Sequence, residues 1–429
     1  MSLGLFIGGG EYKGSQGLNA YEFVHGSTNY LTGGIKFAGQ IAHSEEKIMN
    51  NERIEVLDAL RGYALMGLFL IHMSEYYEIY WLDAVPHWLN TALFAIFGGK
   101  SFAIFGFLFG VSFFIILNNQ RQKGRDFRLR FLWRLTLLLG LGYLHGLIYG
   151  GDILQVLAIC GLLLIPLWSA PNKIVFLVSL IFLLQIPAWL FIGFINHFGT
   201  VYPFAFMNGI SSQVLPTYAE GSFLQVIKVN AFNGNASKWI FMFESGRLWT
   251  ICGLSTLGFL LARMNLFAQY KQHKNTYVIV MACAIIIYLL LTFGANVFTK
   301  IPHVEITKNL QFNILSAYQN LSLTLVSIFL FVILYHTALK SILKYLAAPG
   351  RMTLSIYVSQ SLICVPIFYG FGLHAWSYLG QVNSFLLGVA LWIIQIIMAY
   401  LWFKYFRYGP LEWLWRAATH TTAKIPFRK

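Results

Sequence analysis

Apolar residues run along this chain in blocks about 20 residues long, separated by short polar or basic breaks. A helix rising about 1.5 Å per residue needs roughly that many apolar positions to cross a bilayer's hydrocarbon core. Measured against that length, the blocks predict ten spans, at about 58–76, 89–117, 131–149, 153–170, 174–196, 239–262, 275–298, 313–338, 353–373 and 383–405. The expected fold class is therefore all-α, a polytopic transmembrane helical bundle. The second block is interrupted by Gly98-Gly99-Lys100 and predicts a broken or re-entrant helix. The sixth carries Glu244 and Arg247, one turn apart, a spacing at which the two charges can neutralise each other.

The basic residues give the bundle a direction. With the residues near position 50 taken as cytoplasmic, the loops on that side and the tail hold nineteen Lys and Arg, against four on the other side (Lys228, Lys238, Lys300, Lys308). The positive-inside rule then expects both termini in the cytoplasm. Composition agrees: 57% apolar and 11% charged residues exclude soluble domains of this length, which carry about 25% charged residues. The net charge of +14 would suggest nucleic acid in a soluble chain, but here it sits at membrane edges, so the lipid bilayer of the cytoplasmic membrane is the expected partner. Cys160, Cys252, Cys283 and Cys364 fall inside apolar blocks without a CxxC pair and read as small buried hydrophobes. Residues 1–48 are Gly-, Ser- and Asn-rich and read as a disordered tail or an extension upstream of a start at Met49. Residues 49–406 form the transmembrane domain, with an N-terminal part at 53–235 and a C-terminal part at 236–406. Residues 407–429 form a cytoplasmic interfacial tail opening on Pro410.

Acids and histidines follow the opposite bias. Glu75, Glu78, Asp83, Asp152, Glu220 and Glu305 collect at the non-cytoplasmic ends, with His72, His87, His145, His197, His303 and His374. Eleven residues at 100° each place Arg61 and His72 within about 20° on one face of the first span, roughly 16 Å apart along it. Ionisable groups inside a span are costly and usually face a cavity. Glu75 is placed to orient His72, as Asp58 is to pair with Arg61; the plainer reading is a helix-start ion pair and an interfacial His-Glu pair. Asp152 is placed to cap the fourth span, with Gln155 completing a capping-box-like pattern. His145 lies near the depth of His72, and together they offer a general base on an outward cavity. Lys100 at a helix break suits either a phosphate or a snorkelling role. It does not end a P-loop, because Phe94 stands where that motif needs glycine. Gly106 and Gly110 form a helix-packing GxxxG face. The histidines show no metal-ligand spacing, and no metal is expected.

Five strings in order resemble the YeiB-like family of bacterial membrane proteins: Leu57-Asp58-Ala59-Leu60-Arg61-Gly62, Gly99-Lys100-Ser101-Phe102 with Leu108-Phe109-Gly110, His145-Gly146 with Gly151-Asp152-Ile153-Leu154, Gly350-Arg351-Met352 with Tyr357 and Gln360-Ser361, and Gly409 to Arg416. The resemblance covers about residues 53–418. It implies a place among transmembrane acyltransferases, which include the lysosomal enzyme acetylating terminal glucosamine and, more distantly, polysaccharide O-acyltransferases. Such enzymes carry an acyl group from cytoplasmic acyl-CoA to a sugar on the other face. Arg61 and His72 match an Arg-x10-His pattern of the polysaccharide enzymes, and His87 is nearest by position to the lysosomal enzyme's first-loop histidine. On this reading Arg61, Lys100 and Arg351 hold acyl-CoA as donor substrate, with no bound cofactor. His72 or His145 acts as base or acyl carrier, oriented by Glu75 and Asp152. His87, Glu244, Arg247, Tyr357 and Gln360 serve the acceptor. The alternatives are a transporter using the same charges as a path, and a non-catalytic membrane protein. An internal repeat would favour transport, yet the polar strings of 53–160 have no counterpart in 239–351.

Overall fold

Helices form wherever the apolar blocks lie, and their breaks fall at residues that can leave helical geometry. In the computed structural model the described residues are 55–85, 87–198, 204–268, 270–298 and 305–429. Residues 1–48 and His303 lie outside them. The chain runs through α1 (Glu55–Ser74), α2 (Trp88–Ile96), α3 (Ser101–Arg121), α4 (Arg128–Gly146), α5 (Leu154–Leu167), α6 (Asn172–Leu183), α7 (Ile186–Phe198), α8 (Phe204–Glu220) and α9 (Phe223–Val229). A π-helical turn at Asn230–Gly234 leads into α10 (Asn235–Glu244), α11 (Arg247–Arg263), α12 (Tyr270–Phe298) and α13 (Glu305–His336). Then come α14 (Lys340–Leu343), α15 (Ala347–Arg351), α16 (Thr353–Phe368), α17 (Gly380–Tyr405) and α18 (Pro410–His420). Among the described residues there is no β-strand, only an isolated bridge between Phe406 and Arg428.

Small residues decide which helices meet. Gly106 of α3 lies against Ile251 of α11, Gly110 against the Ser255 carbonyl, and Gly258 of α11 against the Phe107 carbonyl. A Cβ at Gly110 would overlap backbone, so this crossing exists only because the side chain is absent. The GxxxG face thus packs α3 on α11. α1 is gripped in the same way from the other side, with Gly62 against the Leu346 carbonyl and Gly350 against the Asp58 carbonyl. Leu60 and Ala64 of α1, Phe107 and Val111 of α3, Val156 of α5, Ile251 of α11 and Val365 of α16 form one continuous core. α12, by contrast, is long, apolar and almost wholly exposed, as a lipid-facing helix would be.

The ten apolar stretches fall on helices that differ in length and apolarity. Five helices (α1, α2–α3 taken together, α12, α13 and α17) are long and apolar enough to cross a membrane. Two bent pairs raise the number to seven: α6–α7, bent by 49°, and α14–α15 with α16, bent by 79°. α5 has 14 residues, about 21 Å of helix, and α11 has 17. α4 opens with Arg128, Arg130 and Arg134, which shorten its apolar part. The sixth stretch is broken at Gly246, whose φ of +69° ends α10 and restarts the chain as α11. Glu244 and Arg247 therefore flank a helix junction rather than share one helix. The segment between about 197 and 238, which hydropathy leaves as a loop, is mostly α8, α9 and the π turn. Asn230 ties it down, donating to the Leu147 carbonyl (3.1 Å) and accepting from Tyr218 (2.5 Å).

Candidate functional site

Two cavities lie along α1, one toward each end. The first, about 440 Å³, is lined by Asp58, Arg61, Arg134, Arg351, Glu412 and Arg416 around an apolar interior that includes Phe105, Leu108 and Leu138. The second, about 530 Å³, is lined by His72, Glu75, Glu78, Lys238, Glu244 and Arg247 together with Trp81, Phe94 and Phe241. Leu68 and Ile153 line both. α3 repeats the division in reverse: Ser101 and Phe102 face the second cavity, Phe105 to Ser112 the first. These are the basic cavity and the histidine cavity.

In the basic cavity Arg61 pairs with Asp58 and donates to Ser112 Oγ (2.9 Å). Arg351 lies 4.2 Å over the Phe403 ring, and Arg134 lies 3.5 Å over Trp415. The mouth continues into a recess of about 840 Å³ lined by Arg125, Arg130, Arg416 and His420, with Tyr408 and Arg416 common to both. Burial, then the neighbouring Arg416, Arg130, Arg134 and Arg125, hold the His420 imidazole below its usual value. The recess thus owes its positive charge at neutral pH to guanidinium groups.

In the histidine cavity the end of α1 is shaped by backbone strain. Tyr76, Tyr77 and Glu78 have φ of 50°, 53° and 82°, a left-handed run that turns the chain back on itself. Glu78 thereby returns to His72. Around His72 Nδ1 lie the Tyr149 hydroxyl at 2.9 Å, Glu78 Oε1 at 3.5 Å and Glu75 Oε2 at 3.6 Å. Tyr149 also donates to Glu78 (2.8 Å), and Glu75 accepts from Trp81 Nε1 (2.8 Å). Nδ1 is held on the protein side, and Nε2 makes no hydrogen bond among the described residues. An imidazole anchored through one nitrogen with the other left to a cavity is arranged for proton transfer. His72, Glu75 and Glu78 also bring their ligand atoms within 4.8 Å of one another.

The remaining candidates sit elsewhere. His145 and Asp152 form a buried pair (Nδ1 to Oδ1, 2.8 Å) that lines neither cavity, and His145 Nε2 has no hydrogen-bond partner among the described residues. Asp152 Oδ2 accepts from Gln155 N (3.2 Å), the expected cap. Gln155 does not complete a capping box; its amide instead donates to the Gly142 carbonyl and Asn235, because α4 and α10 come within reach. Tyr357 lines the basic cavity, with its ring 5.1 Å from His145. Lys100 lines neither cavity, since Nζ turns back to the Phe94 carbonyl (3.0 Å) and closes the α2–α3 break. His87 caps α2 through Nδ1, accepting from Leu89 N (3.2 Å). Gln360 donates to Gln395 (2.9 Å) and joins α16 to α17. Asp152→Ala is expected to cost about 1–3 kcal/mol, because it leaves a buried imidazole unpaired and uncaps α5. Asp152→Asn keeps one acceptor for the Gln155 N–H and offers its NH2 to the imidazole, so it should melt nearer wild type in a thermal-shift measurement.

Comparison with known proteins finds two separate matches along the chain. The family described as "Heparan-alpha-glucosaminide N-acetyltransferase, catalytic" matches residues 53–214. A family described as "Protein of unknown function (DUF418)" matches residues 261–422. YeiB of Escherichia coli (strain K12) is 26% identical over 398 residues, 86% of this chain and 96% of its own. The chain is thus similar to YeiB along most of both lengths. YxaH of Bacillus subtilis (strain 168) is likewise 26% identical, over 88% of this chain and 96% of its own, and both relatives are described as uncharacterised. The acetyltransferase match takes in Arg61, His72, Glu75, His145 and Asp152, whereas Arg351, Tyr357 and Gln360 fall in the second match. The N-terminal part of the chain is thus similar to the catalytic region of a membrane acyltransferase family. Sequence reasoning passed over Tyr149 as a partner of His72, although it stands four residues after His145. It gave no separate role to Glu78 or Lys238, and it placed Arg134 only in a charge count.

Proposed function

We propose that this protein is an acyltransferase of the cytoplasmic membrane, with ten helical passes and both termini inside. In this reading it moves an acyl group from cytoplasmic acyl-CoA to a sugar on the other face. The observation that carries the reading is the pair of cavities meeting at Leu68 and Ile153, arginines in one and His72 in the other. The positive-inside bias puts the basic cavity on the cytoplasmic side. There Arg61, Arg134, Arg351 and Arg416 offer guanidinium groups to the donor's phosphates, and the apolar interior accepts its pantetheine and acyl chain. The thioester then reaches the Leu68–Ile153 wall. His72 Nε2 takes the proton of an acceptor hydroxyl or amine as that atom attacks the thioester carbonyl carbon. The C–S bond breaks, and the imidazolium returns its proton to the departing thiolate. Lys100 and His145 have no part in this path, since neither lines the basic or the histidine cavity.

Protein reconstituted in vesicles should release free CoA thiol from acetyl-CoA only when a sugar acceptor is present. Leu68→Trp, which thickens the wall, should lower that rate about 10²-fold while acyl-CoA still binds. Wild-type protein that binds no acyl-CoA would end the proposal. Acceptor flux across the vesicle without thiol release would mark a transporter instead.

A further inference from the structure

One wall of the histidine cavity is formed by α10 and the first residue of α11, and it carries two cations, Lys238 and Arg247. Lys238 is satisfied, donating to Asn235 Oδ1 (3.0 Å). Arg247 is not. Among the described residues its guanidinium makes no hydrogen bond and has no carboxylate oxygen within 4.0 Å. Two aromatic rings hold it instead, Phe241 at 4.6 Å and Phe102 at 4.9 Å. Ring contacts occupy the guanidinium's faces and leave its N–H edge free, the edge that pairs with a carboxylate or phosphate through two parallel hydrogen bonds. Removing a guanidinium from bulk water without hydrogen bonds is costly, so such a group keeps its edge for something that enters. Arg247 also begins a 17-residue helix, where the dipole favours negative charge. Of the cavity's three acids, Glu244 ends α10, while Glu75 and Glu78 are engaged with His72, Trp81 and Tyr149. Arg247 feels both across the cavity, but neither forms an ion pair with it.

We infer that Arg247 is the seat for a carboxylate or phosphate group carried by the acceptor. The protein would then select acidic or phosphorylated sugars over neutral ones. This rests on the reading that the acceptor occupies the histidine cavity. The reacting hydroxyl or amine would lie at His72, with the anionic group held apart from it at α11.

The test is a binding titration of the full-length protein in lipid nanodiscs, without donor. Its probes are glucuronate, glucose 6-phosphate and glucose. Wild type should bind at least one of the two anionic probes ten-fold or more tighter than glucose, and which one identifies carboxylate or phosphate. In Arg247→Gln that preference ratio should fall by ten-fold or more. Arg247→Lys should retain part of a phosphate preference but little of a carboxylate preference, because lysine lacks the planar fork. Equal binding of all three probes by wild type, or an unchanged ratio in Arg247→Gln, overturns the inference. CoA release with neutral acceptors and no anion preference would leave acyl transfer standing and remove the seat. Anion binding through Arg247 without CoA release would do the reverse.

Discussion

Replacing His72 with alanine is expected to slow acyl transfer about 10²- to 10⁴-fold, the usual span for losing a positioned general base. Acyl-CoA affinity should stay near wild type. The donor's charged end is assigned to Arg61 and its neighbours, roughly 16 Å away along α1 by helical rise, and the Leu68–Ile153 wall stands between. The loss should therefore appear in the rate at saturating donor, not in donor binding. Tyr149→Phe removes one of three groups around Nδ1 and leaves both carboxylates, so its effect should be smaller. His72→Ala protein that transfers acyl groups at the wild-type rate would remove His72 from the chemistry.

Alanine at Gly110 is expected to destabilise the bundle, while alanine at Gly140 is not. A Cβ at Gly110 would overlap the Ser255 carbonyl and crowd Phe259 N, so α3 and α11 must move apart along a crossing that small residues allow. Overpacking of this kind costs about 1–3 kcal/mol. Gly140 of α4 has open space where its Cβ would be. There alanine adds only helix propensity, up to about 1 kcal/mol of stability. The two single-methyl changes thus carry opposite signs in melting temperature. Shifts in the same direction would contradict the packing account of this pair.

How far the sequence could be read depended on whether a helix continued. Arg61 and His72 share α1, and inside an unbroken helix their spacing gives their relation directly. Glu78 lies six residues past His72, where helical geometry puts it on another face; only the left-handed run at Tyr76–Glu78 brings it back. Side chains that leave helical geometry carry no periodic signal. The same limit explains Glu244 and Arg247, which hydropathy averaged into one span across the Gly246 break. Lys100, His87 and Gln360 were legible as polar groups in apolar surroundings. Their partners, the Phe94 carbonyl, Leu89 N and Gln395, follow only from the local fold or from a distant helix. Helix length is less legible for a physical reason too: α5 and α11 pack in the bundle core, where a helix need not match the bilayer. The exposed α12 does match it.

The wall at Leu68 and Ile153 has an electrical consequence. Water and ions entering the two recesses would bring each bath's potential deep into the protein. The voltage that elsewhere falls across some 30 Å of hydrocarbon would then fall mostly across these two side chains. Carrying one charge through a full membrane voltage involves about 2.3 kcal/mol per 100 mV. A proton passing between the recesses would meet much of that work at these side chains. Leu68→Ala should therefore make vesicles leak protons faster than wild type under an imposed potential.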